Sequence, residues 1–179
     1  MTLPNIVSLV RLLAVPAVVW LVLKGHFAAG FWGFAAVALT DALDGILART
    51  LKAHTALGAM LDPLADKALL VSLYVTLGAL GLVPVWLPLL VVARDVLLIG
   101  GVVVSHLMWG PGGEIRPLFV SKLNTTLQAV LVGVVLAREG LALPLDGVVA
   151  VGTLAVGATT LVSGLWYVVR WVLELEREA

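Results

Sequence analysis

Runs of about 20 mostly apolar residues recur along this chain, each long enough for an α-helix to cross the hydrocarbon core of a bilayer. Six can be traced, over about residues 5–23, 29–48, 59–80, 84–107, 123–136 and 145–171. The composition agrees: 61% of the residues are hydrophobic and 12% charged, against about 45–50% and about 25% in a soluble domain. The expected fold is all-α, an integral membrane bundle of six transmembrane helices. Connections between the runs are short, so neighbours are expected to pack antiparallel. No linker, composition shift or internal repeat divides the chain, and residues 1–179 read as a single domain.

A net charge of zero gives no basic surface for nucleic acid. The absence of cysteine excludes disulfides and thiolate metal ligands. The opening MTLPNIVSLVR has no basic region before its apolar run and no small-residue cleavage site closing it, so the first run is expected to stay as a transmembrane helix. Arg49, Lys52, Arg116, Lys122, Arg170 and Arg177 fall on one side of the expected bundle, and Lys24 and Arg138 on the other. The excess of Lys and Arg marks the cytoplasmic side and puts both termini there. Trp20, Trp86, Trp109 and Trp171 lie near the ends of the expected helices, where bilayer anchoring or packing accounts for them.

Against this background four acids stand out. Asp41, Asp44, Asp62 and Asp66 lie within 26 residues. One carboxylate inside a membrane helix costs about 2.5–3.5 kcal/mol on insertion scales, and four close together also repel one another. Asp41 and Asp44 are three apart, followed at helical spacing by Gly45 and Ala48, with Arg49 close by; Gly58, Asp62 and Asp66 form a second stripe at intervals of four. A turn around residues 52–55 would let the two stripes face each other. Converging carboxylates suit hard divalent cations such as Mg²⁺, which also bind substrate phosphates. Three or four of them could hold two ions, an arrangement that clamps an in-line phosphoryl displacement. Arg49, with Lys52 near it, adds positive charge beside a phosphate. If an alcohol attacks, one carboxylate must take its proton, and Asp66 is the natural candidate. Two blander readings compete. Capped or solvated helix ends explain one or two acids but not four on facing stripes. A cation or proton pathway in a six-helix transporter explains the acids, but not Gly45, Ala48, Arg49 and the fixed interval to Gly58.

The run Asp41-x2-Asp44-Gly45-x2-Ala48-Arg49-x8-Gly58-x3-Asp62-x3-Asp66 resembles the signature of the CDP-alcohol phosphatidyltransferases at all of its defined positions. The six expected spans fit that family too, so the resemblance covers essentially the whole chain. It implies that Asp41, Asp44 and Asp62 ligate metal, and that Asp66 contributes to the metal site and acts as general base. It implies two divalent cations, Mg²⁺ or Mn²⁺, and a homodimer. Gly45, Ala48, Gly58 and Arg49 would line the site for the CDP-linked lipid, Arg49 on the diphosphate. Thr55, in the turn, would touch the diphosphate or serve the turn alone. The opening Pro4-Asn5-x2-Ser8-x2-Arg11 is similar to another family segment, in which Asn5 and Ser8 contact the nucleotide; N-capping of the first helix is the competing reading. The implied reaction is attack of an acceptor hydroxyl on the phosphatidyl phosphorus of CDP-diacylglycerol, with CMP leaving, at a cytoplasmic-side site of a multi-pass protein of the bacterial inner membrane.

The acceptor is expected to be anionic. Arg94 and Asp95 interrupt the fourth run, and Ser121, Lys122, Asn124, Thr125 and Gln128 open the fifth. Arg94 and Asp95 either pair with charges inside the bundle, or Arg94 joins Lys122 and Arg49 in a cationic pocket for an acceptor carrying phosphate. Ser121 also reads as an N-cap. These two segments look more like those of the CMP-forming cardiolipin synthases, whose acceptor is phosphatidylglycerol, than those of the phosphatidylglycerophosphate synthases, which use glycerol 3-phosphate. His54 and His106 lie near expected interfaces, with no role assigned.

Overall fold

A computed structural model describes the backbone of residues 3–51, 56–109 and 119–178, and the side chains within 13–40, 67–101, 120–170 and 172. Its secondary structure is six helices: α1 (Leu3–Leu23), α2 (Phe27–Leu51), α3 (Ala56–Ala79), α4 (Trp86–Trp109), α5 (Phe119–Leu141) and α6 (Asp146–Glu178). Each coincides with one of the apolar runs, and there is no strand among the described residues. The helices overrun the apolar limits mainly at α5 and α6. There polar residues such as Ser121, Lys122, Arg138 and Glu139 continue the helix past the apolar stretch. Among the described residues, two helical segments of the six spans expected, Val120–Leu141 and Asp146–Arg170, are long and apolar enough to cross a membrane, and Leu13–Leu23, Phe27–Thr40 and Lys67–Ala79 are shorter apolar segments.

Two of the turns are set by glycine. Gly25 and Gly81 have φ of 77° and 71°, the left-handed region that costs a side chain most. His26 N–H donates to Leu21 O and Gly25 N–H to Val22 O; Leu82 and Gly81 repeat the pattern onto Leu77 and Gly78. Both are Schellman caps, which satisfy the last carbonyls of α1 and α3 and stop those helices.

The packing closes into a ring. α1 packs against α2 and α3, α3 against α4, α4 against α6, α6 against α5, and α5 against α2, while α3 and α5 also meet across the middle. Chain neighbours therefore pair as α1–α2, α3–α4 and α5–α6. The described parts of α2 and α3 do not pair with each other, because α1 sits between them. Glycines let α1 in: a Cβ at Gly30 or Gly33 of α2 would come 2.8 Å from Val22 or 3.2 Å from Val18 of α1. At the end carrying Lys24 and Arg138, a Cβ at Gly140 of α5 would lie 2.5 Å from the backbone nitrogen of Ala28, so these two sequence-distant cations share one end of the bundle.

The ring encloses one core of branched aliphatics. Val15, Val18 and Val22 of α1 meet Phe34 of α2, Leu70, Leu73 and Leu77 of α3, Val91 of α4 and Val132 and Val135 of α5. Large apolar side chains also cover the outside, among them Leu39, Leu89, Val151, Leu154 and Leu165. An apolar exterior around an equally apolar core suits a lipid surround better than water.

Candidate active site

The register of the core carries directly into the polar residues singled out by the sequence. On α2, Phe34 is buried and Val37 packs on the core; continuing that stripe by helical steps of three and four reaches Asp41, Asp44 or Gly45, and Ala48. On α3, the buried Leu77, Leu73 and Leu70 lead back by the same steps to Asp66, Asp62 and Gly58. On α1, Val22, Val18 and Val15 lead back to Ser8 and Asn5. By register, the candidate positions of all three helices continue these stripes toward the same end of the bundle. α1 lies between the two helices that carry the acids. The side chains of Asn5, Ser8, Asp41, Asp44, Gly45, Ala48, Arg49, Gly58, Asp62 and Asp66 lie outside the described residues, as do His106's side chain and Lys52, His54 and Thr55 entirely.

As a donor set, these four carboxylates offer only hard oxygen ligands. That set fits Mg²⁺ or Mn²⁺ and does not fit a metal that prefers sulfur.

From Lys67, the residue after Asp66, a polar cluster extends inside the bundle. Lys67 Nζ of α3 lies 3.0 Å from Asp95 Oδ1 of α4, and Arg94 Nη1 donates to the same oxygen at 2.7 Å. Arg94 Nη2 donates to Ser121 Oγ of α5 at 2.6 Å and to Ser163 Oγ of α6 at 3.0 Å; Nε also donates to Ser163 Oγ, at 3.3 Å. Arg94 is only 3% exposed and Asp95 is buried. A buried ion pair is tolerable only when its remaining hydrogen-bonding capacity is met. Serines from two further helices meet that of Arg94, while Lys67 Nζ is buried with no hydrogen-bond partner among the described residues and meets Asp95 through charge alone. The Arg94 stem runs past Gly164, where a Cβ would make an ordinary contact 3.7 Å from Arg94 Cγ.

One turn along α5, Asn124 is fully buried, and its Oδ1 accepts from the hydroxyls of Thr159 at 2.8 Å and Thr160 at 2.9 Å. Gln128 is buried a further turn along, where its backbone carbonyl accepts from the Tyr74 hydroxyl at 3.2 Å. α5 therefore shows one polar face, Ser121–Asn124–Gln128, to α3, α4 and α6.

Of the two readings of Arg94 and Asp95, pairing inside the bundle is what the geometry displays. Lys122 follows Ser121 in the chain but lies off that inward face and is exposed. Among the described side chains, Arg94 and Lys122 are not brought onto one surface. Two participants escaped the sequence reading. Lys67 was overlooked although it is a cation inside an apolar run directly after Asp66. Ser163 carries no sequence signal beyond the neighbouring Gly164.

Comparison with known proteins places the chain. Residues 1–171 match the model of the CDP-alcohol phosphatidyltransferase family. The chain belongs to this family. It is 36% identical over 151 residues to the CMP-forming cardiolipin synthase of Rattus norvegicus, covering 76% of this chain and 50% of that protein. It is 34% identical over 184 residues to the cardiolipin synthase (CMP-forming)/mitochondrial hydrolase fusion protein of Schizosaccharomyces pombe, covering 93% of this chain and 30% of that one. It is also 34% identical over 154 residues to the chloroplastic CDP-diacylglycerol–glycerol-3-phosphate 3-phosphatidyltransferase 1 of Oryza sativa subsp. japonica, covering 77% and 47%. The chain spans half or less of the length of these relatives.

Proposed function

We propose that this chain is a phosphatidyltransferase that joins CDP-diacylglycerol to phosphatidylglycerol, forming cardiolipin and releasing CMP. What supports this reading is the helical spacing of Asp41, Asp44, Asp62 and Asp66 on α2 and α3, the helices flanking α1, in a member of this family. The four carboxylates would hold two divalent cations, Mg²⁺ or Mn²⁺. When bound, these supply the positive charge that stabilises the transferring phosphoryl group and the departing CMP. Arg49 binds the diphosphate, and Gly45, Ala48 and Gly58 leave room for the nucleotide, with Asn5, Ser8 and Thr55 at its edge. Asp66 accepts the proton of the acceptor hydroxyl. The acceptor oxygen then bonds to the phosphatidyl phosphorus, and the bond from that phosphorus to the oxygen shared with CMP breaks. Lys122, exposed beside the mouth of α5, meets an acceptor that itself carries a phosphate.

The protein works as one domain over residues 1–179, with six spans, its site on the cytoplasmic side of a bacterial inner membrane, and as a homodimer. The apolar exterior and the shared end of Lys24 and Arg138 support the topology. The name of the rice relative favours glycerol 3-phosphate as the alternative acceptor. Purified protein given CDP-diacylglycerol with each acceptor in turn, the lipid product read by mass, separates the two. Cardiolipin as the main product supports the leading reading, and phosphatidylglycerophosphate supports the alternative.

A further inference from the structure

We infer that Asp95, Arg94 and Lys67 act as positioning residues for the transfer reaction, fixing α3 where it carries Asp66. This inference rests on the proposed role of the aspartates. One carboxylate, Asp95 Oδ1, holds a cation from its own helix and a cation from α3. The guanidinium that it holds is tied in turn to Ser121 of α5 and Ser163 of α6. Four helices are therefore joined at one level, and the α3 end of the junction is the residue next to Asp66.

Each of the three guanidinium nitrogens of Arg94 has a protein partner, and the side chain is buried. A group so occupied is poorly placed to take an acceptor phosphate and well placed to hold helices in register. Further along, α3 and α4 pack closely through apolar groups, with Pro88 seated on Gly78, where a Cβ would lie 2.6 Å from Pro88 Cγ. The Lys67–Asp95 pair adds a charge contact between the two helices at the level nearest Asp66. A helix rotated by a small angle moves a general base by about an ångström, and a misplacement of that size can cost about a hundredfold in rate.

The test compares Lys67→Met, Lys67→Arg, Asp95→Asn and the Lys67→Met/Asp95→Asn double variant with wild type and with Asp66→Asn, all as purified full chain. Steady-state constants are measured for both substrates. Mn²⁺ binding is measured by electron paramagnetic resonance without substrate, and Tm is measured alongside. Positioning gives kcat about tenfold or more lower in Lys67→Met and Asp95→Asn, with both KM values within about twofold. It also gives weaker Mn²⁺ binding, partial rescue in Lys67→Arg, and a double variant no worse than the poorer single one. A lowered Tm with kcat and Mn²⁺ binding intact overturns the inference in favour of a purely structural pair. A raised acceptor KM with kcat intact overturns it in favour of substrate binding. Should Asp95→Asn fail to fold, Lys67→Met carries the test, since Lys67 is partly exposed and Met keeps its stem. Loss of activity in Asp66→Asn with wild-type kinetics in Lys67→Met removes the positioning role alone. Full activity in Asp66→Asn removes the aspartate reading itself.

Discussion

Lys67 Nζ lies 3.0 Å from Asp95 Oδ1, a link from α3 to α4 one residue beyond the proposed general base. Among the described side chains, the buried charges Arg94 and Asp95 lie at this level of the bundle, toward the end that carries the four aspartates, while the more exposed Arg138, Glu139 and Asp146 pair at the opposite end. The helix ring shows where sequence changes should affect stability and where they should affect chemistry.

Gly140 belongs to the first kind. Any side chain there meets the backbone of Phe27 and Ala28 at 2.5–2.7 Å, and backbone cannot rotate away. Gly140→Ala should destabilise the fold by about 1–3 kcal/mol, visible as a lower Tm in detergent. Gly147→Ala, where a Cβ meets nothing within 4 Å, should be neutral or slightly stabilising.

Arg49 belongs to the second. A guanidinium fork suits two oxygens of a diphosphate, and a hydrogen bond to a charged group is worth about 1.5–3 kcal/mol. Arg49→Ala should therefore raise KM for CDP-diacylglycerol about tenfold or more, with the acceptor KM little changed. Unaltered affinity for the CDP-lipid would remove Arg49 from the diphosphate site.

Lys122 is exposed, so its attraction for an anionic acceptor is screened by water and salt. Lys122→Ala should raise the acceptor KM by about two- to fivefold, and the effect should shrink as salt is added. An effect confined to the CDP-lipid would dissolve the acceptor assignment.

Much of the fold was legible in the sequence because long apolar runs announce helices by their length and apolarity. All six runs became helices, and the polar flanks of α5 and α6 were missed because a helix can continue beyond its apolar part. Pairing was less legible. Adjacency in the chain suggested α2 against α3, but Gly30 and Gly33 admit α1 between them, and a glycine does not declare which helix it receives. In the candidate site the aspartate stripes rest on spacing, a period of three or four on segments that are helical in α2 and α3, and their side chains lie outside the described residues. The partners of Arg94 were not. Ser121 and Ser163 lie 27 and 69 residues away, and only tertiary packing brings a serine to a guanidinium.

The central claim is metal-dependent transfer of a phosphatidyl group with Asp66 as the proton acceptor. It is tested most directly by following CMP and lipid product together, from CDP-diacylglycerol and phosphatidylglycerol, for wild type and Asp66→Asn with Mn²⁺ and after chelation. The expected result is equimolar CMP and cardiolipin from wild type with metal, none after chelation, and a rate about a hundredfold or more lower in Asp66→Asn. Undiminished turnover in Asp66→Asn, or in the chelated protein, would contradict it.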